Sequence, residues 1–247
     1  MTQASKTAQV RNAVVLAVLY EALMMVLGWL LTGPPKSMSS MTSLKLTVTV
    51  GMPSLTQLLE PAHQFTSLNL QSFGLIAVLF TVLSMVLFSF ANALYIAQLG
   101  RSRRVVNGSA WDDAKRSTLP LLGFMLLQLL LGIGMLLFLQ ILGMFGGIVS
   151  VILLLWFRYA FFFFEYTVVL RRVSFAEAWT LCREIRKKAE GLGILFLFIL
   201  LVNAFLAFVV NMLFSWPVLL VMLAVNAVIG TLLQRRALDL FFAAEPA

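Results

Sequence analysis

The chain has 247 residues, of which 61% are hydrophobic and only 11% charged, with a formal net charge of +8. Soluble globular domains carry about 25% charged residues, so this composition excludes that class and marks an integral membrane protein. The lone cysteine, Cys182, excludes an internal disulfide framework and a paired-thiolate zinc site, and the lone histidine, His63, excludes bis-histidine haem ligation within one chain.

Six apolar segments follow in chain order, at about 12–32, 72–99, 119–142, 146–170, 191–213 and 216–234, each long enough to span ~30 Å of hydrocarbon at about 1.5 Å per residue. The opening "MTQASKTAQVRN" leads into the first of them with no small-residue cleavage site, and reads as the start of a retained helix. The one long connection is 33–71, rich in Ser, Thr, Met and Pro. Within it "LKLTVTV" at 44–50 alternates as an extended strand does, and "SLTQLLEP" at 54–61 is a short helical candidate. A single strand has no partner elsewhere in the sequence, so the segment reads as a loop packed over the outer mouth of the bundle. "GMFGG" at 143–147 and "SWP" at 215–217 are minimal turns. Gly132, Gly134, Gly143, Gly146 and Gly147 point to close helix approach.

The distribution of charge fixes the expected orientation. With the N-terminus in the cytoplasm, fifteen of the eighteen basic residues fall on one side, leaving Lys36 and Lys45 outside and Arg158 within a helix. The basic excess is therefore a topology signal and not a nucleic-acid footprint. The expected fold is a single all-α membrane domain, 1–247, in a prokaryotic inner membrane. Six transmembrane helices form three out-and-back hairpins, with both termini cytoplasmic. An external loop covers about 33–71, and cytoplasmic loops cover about 100–118 and 171–190. Each hairpin ends in a double arginine: Arg103-Arg104, Arg171-Arg172 and Arg235-Arg236. Spacings of 68 and 64 residues fit a threefold repeat, while the need of any membrane hairpin for orienting arginines explains them equally.

"RRVSFAEAWTLCREIRKK" at 171–188 repeats the skeleton of "RRVVNGSAWDDAK" at 103–115. Ser174 and Glu177 have capping-box spacing. Phe175, Ala178, Trp179, Cys182, Ile185 and Ala189 recur at intervals of three and four, making one apolar stripe. Both stretches read as amphipathic helices on the cytoplasmic interface, anchored by Trp111 and Trp179. Arg103, Arg104, Arg171, Arg172, Lys187 and Lys188 would face anionic lipid headgroups, each worth about 1 kcal/mol. A solvated connector without a lipid role is the plain alternative. Asp112-Asp113 reads as a helix-start charge pair, not a metal site.

Ionisable groups in hydrocarbon cost at least about 2.5 kcal/mol each, so Glu21, Arg158 and Glu165 need partners. Counted from the cytoplasmic helix ends, Glu21, Asn92, Gln128, Arg158, Glu165, Asn203 and Asn226 all lie roughly 8–18 Å deep, forming a polar layer. Two readings stand. One is a cytoplasm-facing cavity where Arg158, with Glu165, Glu21, Asn203 and Asn226 around it, binds an anionic ligand or lipid headgroup. The other is interhelical glue at ~0.6 kcal/mol per hydrogen bond. The run "WFRYAFFFFEY" at 156–166 reads as lipid-facing and helix-packing bulk, with Tyr159 and Tyr166 able to hydrogen-bond.

The stretch "RYAFFFFEYTVVLRRVSFAEAWTLCREIRKKAEGLGILFLFILL" runs from an Arg-bearing apolar helix through "SFAEAW" and a basic helix into a new apolar helix. In this order it resembles a broad group of six-helix bacterial and archaeal membrane proteins that includes the membrane domain attached to some glycerophosphodiester phosphodiesterases. Ser174, Glu177, Ala178 and the basic residues after Trp179 carry the likeness, and Cys182 stands where that group often has serine. The resemblance covers the C-terminal two-thirds and implies a fold, not an activity, because the phosphodiesterase catalytic domain is absent. No nucleotide loop, serine elbow, zinc-protease motif or intramembrane aspartate pair occurs. The sequence thus points to a protein that is not an enzyme, with no catalytic residue, cofactor or metal. The expected role is an accessory or scaffold subunit of a transport or envelope-maintenance system, with a membrane-protein partner. The alternative is a small permease or lipid-handling protein that uses the polar layer.

Overall fold

The computed structural model describes residues 3–32, 48, 50–59, 70–103, 108–213 and 215–245. Among these there is no strand, and the chain runs through α1 (Gln3–Thr32), α2 (Leu70–Arg101), α3 (Ala110–Ala160), α4 (Phe164–Arg171), α5 (Phe175–Lys188), α6 (Leu192–Met212) and α7 (Trp216–Ala244). Five helical stretches are long and apolar enough to cross a membrane: Lys6–Leu27, Leu79–Arg101, Ala110–Arg171, Leu192–Met212 and Trp216–Ala244. Ala110–Arg171 covers 62 residues, far more than the roughly 20 that one crossing needs.

The excess length is taken up by a reversal. Gly143 leaves helical geometry at φ 57°, ψ −138°, a left-handed region that glycine enters without a Cβ clash. Beyond it, the Ser150 hydroxyl donates to the Met135 carbonyl at 3.3 Å, and Gly146 packs so closely on the Phe138 carbonyl that a Cβ there would collide. In a continuous helix residues 135 and 150 would stand about 22 Å apart, so α3 folds back into two arms lying side by side. The distal parts of both arms, including Leu136, Phe138, Ile141, Met144 and Phe145, are exposed. Gly132 and Gly134 approach nothing within 4 Å.

A second break, at 161–163, interrupts what reads from sequence as one apolar segment over 146–170. Its consequence is that the aromatic run packs helices, as expected, and does so as a core rather than as a lipid-facing surface. Phe161, Phe162, Phe163, Phe164 and Tyr166 are all buried, and only Trp156 at the start of the run is largely exposed, at 63%. Phe164 stacks on Phe124 at 4.2 Å and meets Phe175 edge-on at 5.1 Å, while Phe161 lies 3.9 Å from Trp179. Ring pairs of this kind add about 0.5–1.5 kcal/mol each beyond their buried area.

At the corner into α5, Ser174 and Glu177 form both halves of a capping box. The Ser174 N–H and hydroxyl donate to the Glu177 carboxylate at 2.9 and 2.8 Å, and the Glu177 N–H donates back to Ser174 Oγ. These donors hold the Glu177 carboxyl below the usual carboxylate range. The stripe of α5 is consumed by protein: Ala178, Cys182 and Ile185 are buried in the main core, and Trp179 sits among Phe157, Phe161, Phe164 and Phe175. Glu177, Arg183, Glu184, Lys187 and Lys188 cover the exposed face.

Asp113 ties the same end of the bundle together. It is buried, with one carboxylate oxygen 2.5 Å from Arg101 at the end of α2 and the other 2.8 Å from Arg172 after α4. Arg101 also donates to the Ala97 and Gly108 carbonyls, at 3.1 and 3.3 Å. The aspartate does start its helix, but its main partners are side chains of two other elements. Asp113→Ala leaves Arg101 buried without its counter-charge, and thermal unfolding in detergent is expected to show a loss of about 3–5 kcal/mol. Exposed Asp112→Ala is expected to cost less than about 0.5 kcal/mol in the same assay.

Cys182 gives a second check. Burial pushes its thiol up to about 12 against the opposing charges of Arg183 and Arg186. A maleimide at pH 7 is expected to leave it unmodified in the folded protein and to label it fully after denaturation.

Candidate functional site

Polyamide backbone outside a helix must find hydrogen bonds wherever it is buried. Residues 48 and 50–59 pose this problem, because they run through the bundle instead of over its mouth. Val48, Val50, Met52, Leu55, Leu58 and Leu59 are buried, and the only local order is one turn, with Leu58 N–H donating to the Leu55 carbonyl at 2.9 Å. For these residues this corrects the expected placement over the outer mouth, and the described part of the helix expected at 54–61, residues 54–59, holds only that turn. The physical reason is side-chain character: the apolar residues of this stretch gain more by filling the bundle than by covering it. Most of "LKLTVTV" and residues 60–69, with His63, lie outside the described residues.

Polar side chains from five helices receive this segment. Asn92 on α2 accepts from Met52 N–H at 2.7 Å, and Gln234 on α7 accepts from Gly51 N–H at 3.3 Å. Glu21 on α1 accepts from Thr56 N–H at 3.1 Å and from its hydroxyl at 3.2 Å. Arg158 Nε donates to the Val48 carbonyl at 3.1 Å, and Asn211 Nδ2 on α6 donates to the Leu58 carbonyl at 3.0 Å. Gly51, at φ 81°, packs so tightly on Asn92 and Glu165 that a Cβ would strike both. Pro53 lies against Gly230 of α7, where a Cβ would come within 2.5 Å of its ring.

The receiving groups are themselves linked. Arg158 Nη1 lies 3.2 Å from Glu165 Oε1, across the 161–163 break, and Asn92 Nδ2 donates to the other carboxylate oxygen at 2.7 Å. The Tyr166 hydroxyl donates to Gln234, and Tyr95 donates to Thr231 at 3.1 Å, which in turn donates to the Ala227 carbonyl at 2.7 Å. Both oxygens of Glu165 are therefore occupied, and its charge is met by Arg158.

Beside this cluster is a cavity of about 380 Å³. Phe88, Ser89 and Asn92 of α2 form one wall. Both arms of α3 form the other, with Leu121, Phe124, Met125, Gln128, Leu154 and Phe157 among its residues, and Val48, Val50 and Gln57 of the buried segment close it. Arg158, Glu165 and Asn92 make one polar edge on an otherwise mainly apolar surface. Gln128 Nε2 is buried there without a hydrogen-bond partner among the described residues.

Protein-family models, curated proteins and solved structures contain no match to this chain.

The sequence-derived layer thus divides. Arg158 and Glu165 come together at the cavity edge. Glu21 is buried but serves Thr56, while Asn203 and Asn226 are buried on α6 and α7 and do not line the cavity. Asn92 and Gln234 are the residues sequence reasoning underweights, because amides inside apolar helices read as generic glue. The turn-forming "GMPS" at 51–54, flanked by apolar residues, is the signal for a buried non-helical stretch. Of the interfacial candidates, Trp111 is half exposed, edge-on to Phe90 at 4.8 Å and beneath Lys115. Arg103 pairs with Asp239 at 2.7 Å, Arg171 with Glu245 and Arg172 with Asp113, whereas Lys187 and Lys188 are exposed. Arg104 lies outside the described residues. Among the described residues no group of three or more His, Cys, Asp or Glu side chains could hold a metal.

Gly230→Val forces Pro53 off α7 and is expected to destabilise the folded protein by about 1–3 kcal/mol in detergent unfolding. Gly132→Val, where the space is open, is the control and is expected to change stability by less than about 0.5 kcal/mol.

Proposed function

We propose that this is a multi-pass integral membrane protein that takes a neutral amphiphile, with an apolar body and a hydrogen-bonding head, into the cavity between α2 and the two arms of α3. On this reading Ala110–Arg171 crosses twice by turning at Gly143, giving six crossings as three hairpins. The basic ends face the cytoplasm, as the positive-inside rule requires. The observation that carries the reading is the cavity: about 380 Å³, within the range of small-molecule sites, mainly apolar, with its few polar groups gathered on one edge.

The state of that edge sets the ligand class. Arg158 is neutralised by Glu165, so the site offers no unopposed charge and disfavours an anion; this departs from the anionic ligand expected for Arg158. Arg158 spends Nε on Val48 and Nη1 on Glu165, which leaves Nη2 hydrogens, and Gln128 has a free amide donor. A carbonyl or hydroxyl head fits these donors. The carboxylate that lines the cavity, Glu165, accepts from Asn92 on one oxygen and from Arg158 on the other.

The accessory or scaffold role is a second reading, favoured by the exposed apolar residues on every side of the distal α3 arms. Copurification of a stoichiometric partner from native membrane supports it, provided that the partner is lost when Phe138 and Phe145 are replaced by alanine.

Native mass spectrometry of the protein extracted from its membrane tests the lead reading. One bound uncharged or zwitterionic lipid-like molecule is expected. Leu121→Trp, which fills the cavity, is expected to remove it from a protein that still folds, and Arg158→Gln to weaken retention by about tenfold, the loss of one charge-assisted hydrogen bond. Equal retention by wild type and Leu121→Trp would contradict the cavity as a site.

A further inference from the structure

The end of the bundle that carries the double arginines holds a second concavity, separate from the first and of opposite character. It encloses about 700 Å³ between the first turns of α1, the end of α2 and α7. Lys6, Thr7, Val10 and Arg11 stand at positions that share one helical face of α1, so two cations point the same way. Ser102, Arg103 and Arg235 complete the lining from the other elements. Sequence spacing gives no hint of this meeting, since 229 residues separate Lys6 from Arg235.

Four cations share this space, and among the described residues Asp239 meets one of them, 2.7 Å from Arg103. Arg235 Nε is buried with no hydrogen-bond partner among the described residues. A buried guanidinium nitrogen without an acceptor is costly, and an anion with several oxygens in the concavity would supply one. Cations kept only for orientation would spread over the surface, where each is solvated. Here they converge on a space large enough for a phosphate and its substituents.

We propose that this concavity binds a phosphate group bearing net negative charge, supplied by the headgroup of an anionic phospholipid or by free phosphate. The lipid source rests on the membrane reading above; the phosphate chemistry does not. Arg11 and Arg235 grip the phosphate oxygens, and Lys6 adds charge from the rim.

The test uses the full chain in a nonionic detergent at pH 7. It is titrated separately with short-chain phosphatidylglycerol, phosphatidylcholine of the same chain length, and inorganic phosphate. Phosphatidylglycerol is expected to bind more tightly than phosphatidylcholine. The double variant R11Q/R235Q is expected to lose roughly 25-fold in phosphatidylglycerol affinity, about fivefold per charge, with phosphatidylcholine unchanged. The double variant K187Q/K188Q removes two exposed charges from α5 and is expected to lose less than about twofold. Saturable binding of inorganic phosphate with the same sensitivity to R11Q/R235Q, and no preference between the two lipids, assigns the site to the free anion. Equal losses in the two double variants, or no preference for any phosphate anion, overturn the proposal. If R11Q/R235Q does not fold, K6Q is read in the same titration, with a fivefold loss expected and no loss overturning it. Incorporation into phosphatidylcholine nanodiscs is scored independently: its failure sinks the membrane reading and leaves phosphate binding standing.

Discussion

A stretch of non-helical backbone buried inside a helical bundle sets the terms for everything around it. Each unmet N–H or C=O buried there away from water costs several kcal/mol, and such backbone persists only where partners supply the bonds. The side chains that answer residues 48 and 50–59 match them in chemical sense. Acceptors on Glu21, Asn92 and Gln234 meet the N–H groups of Thr56, Met52 and Gly51. Donors on Arg158 and Asn211 meet the carbonyls of Val48 and Leu58. Pro53 has no N–H and needs no answer. Glu21, Asn92, Arg158, Asn211 and Gln234, scattered through the apolar helices, are thus parts of one receptor for the protein's own chain.

That arrangement also explains where the cavity comes from. The segment reaches far along α7, since Gln234 lies about 27 Å of helix beyond Trp216. A smaller apolar cluster of Met25, Leu55, Leu58, Leu59, Leu206 and Leu219 packs one part of it, and the Arg158–Glu165–Asn92 group pins the other. Between this wedge and the paired arms of α3 the elements do not close, and an apolar space with a polar edge remains. The break at 161–163 belongs to the same logic: it turns four phenylalanines into the core and sets Glu165 within reach of Arg158.

Much of the helical fold is legible in the sequence, because apolar length and glycine-marked turns are local signals. The reversal at Gly143 falls inside "GMFGG", and the Ser174–Glu177 capping box lies where its spacing places it. The path of 50–59 is not legible in the same way. Its apolar residues read equally as loop or strand, and only long-range partners up to 183 residues away decide the matter. The candidate site is half legible for the same reason. Arg158 and Glu165 stand out as charges within apolar segments, whereas Asn92 and Gln234 gain their meaning from what they hold. Likewise Asp113 reads locally as a helix-start charge, and its bridge from Arg101 to Arg172 appears only once the ends of α2 and α4 are brought together.

Hydrogen exchange of the protein in lipid nanodiscs reads the buried segment directly. Peptides covering residues 50–58 are expected to exchange as slowly as those from the middle of α7, because the amides of Gly51, Met52, Thr56 and Leu58 are bonded and shielded from water. Complete exchange of that stretch within seconds, while α7 stays protected, would place it in solvent and remove the basis for both the polar receptor and the cavity beside it.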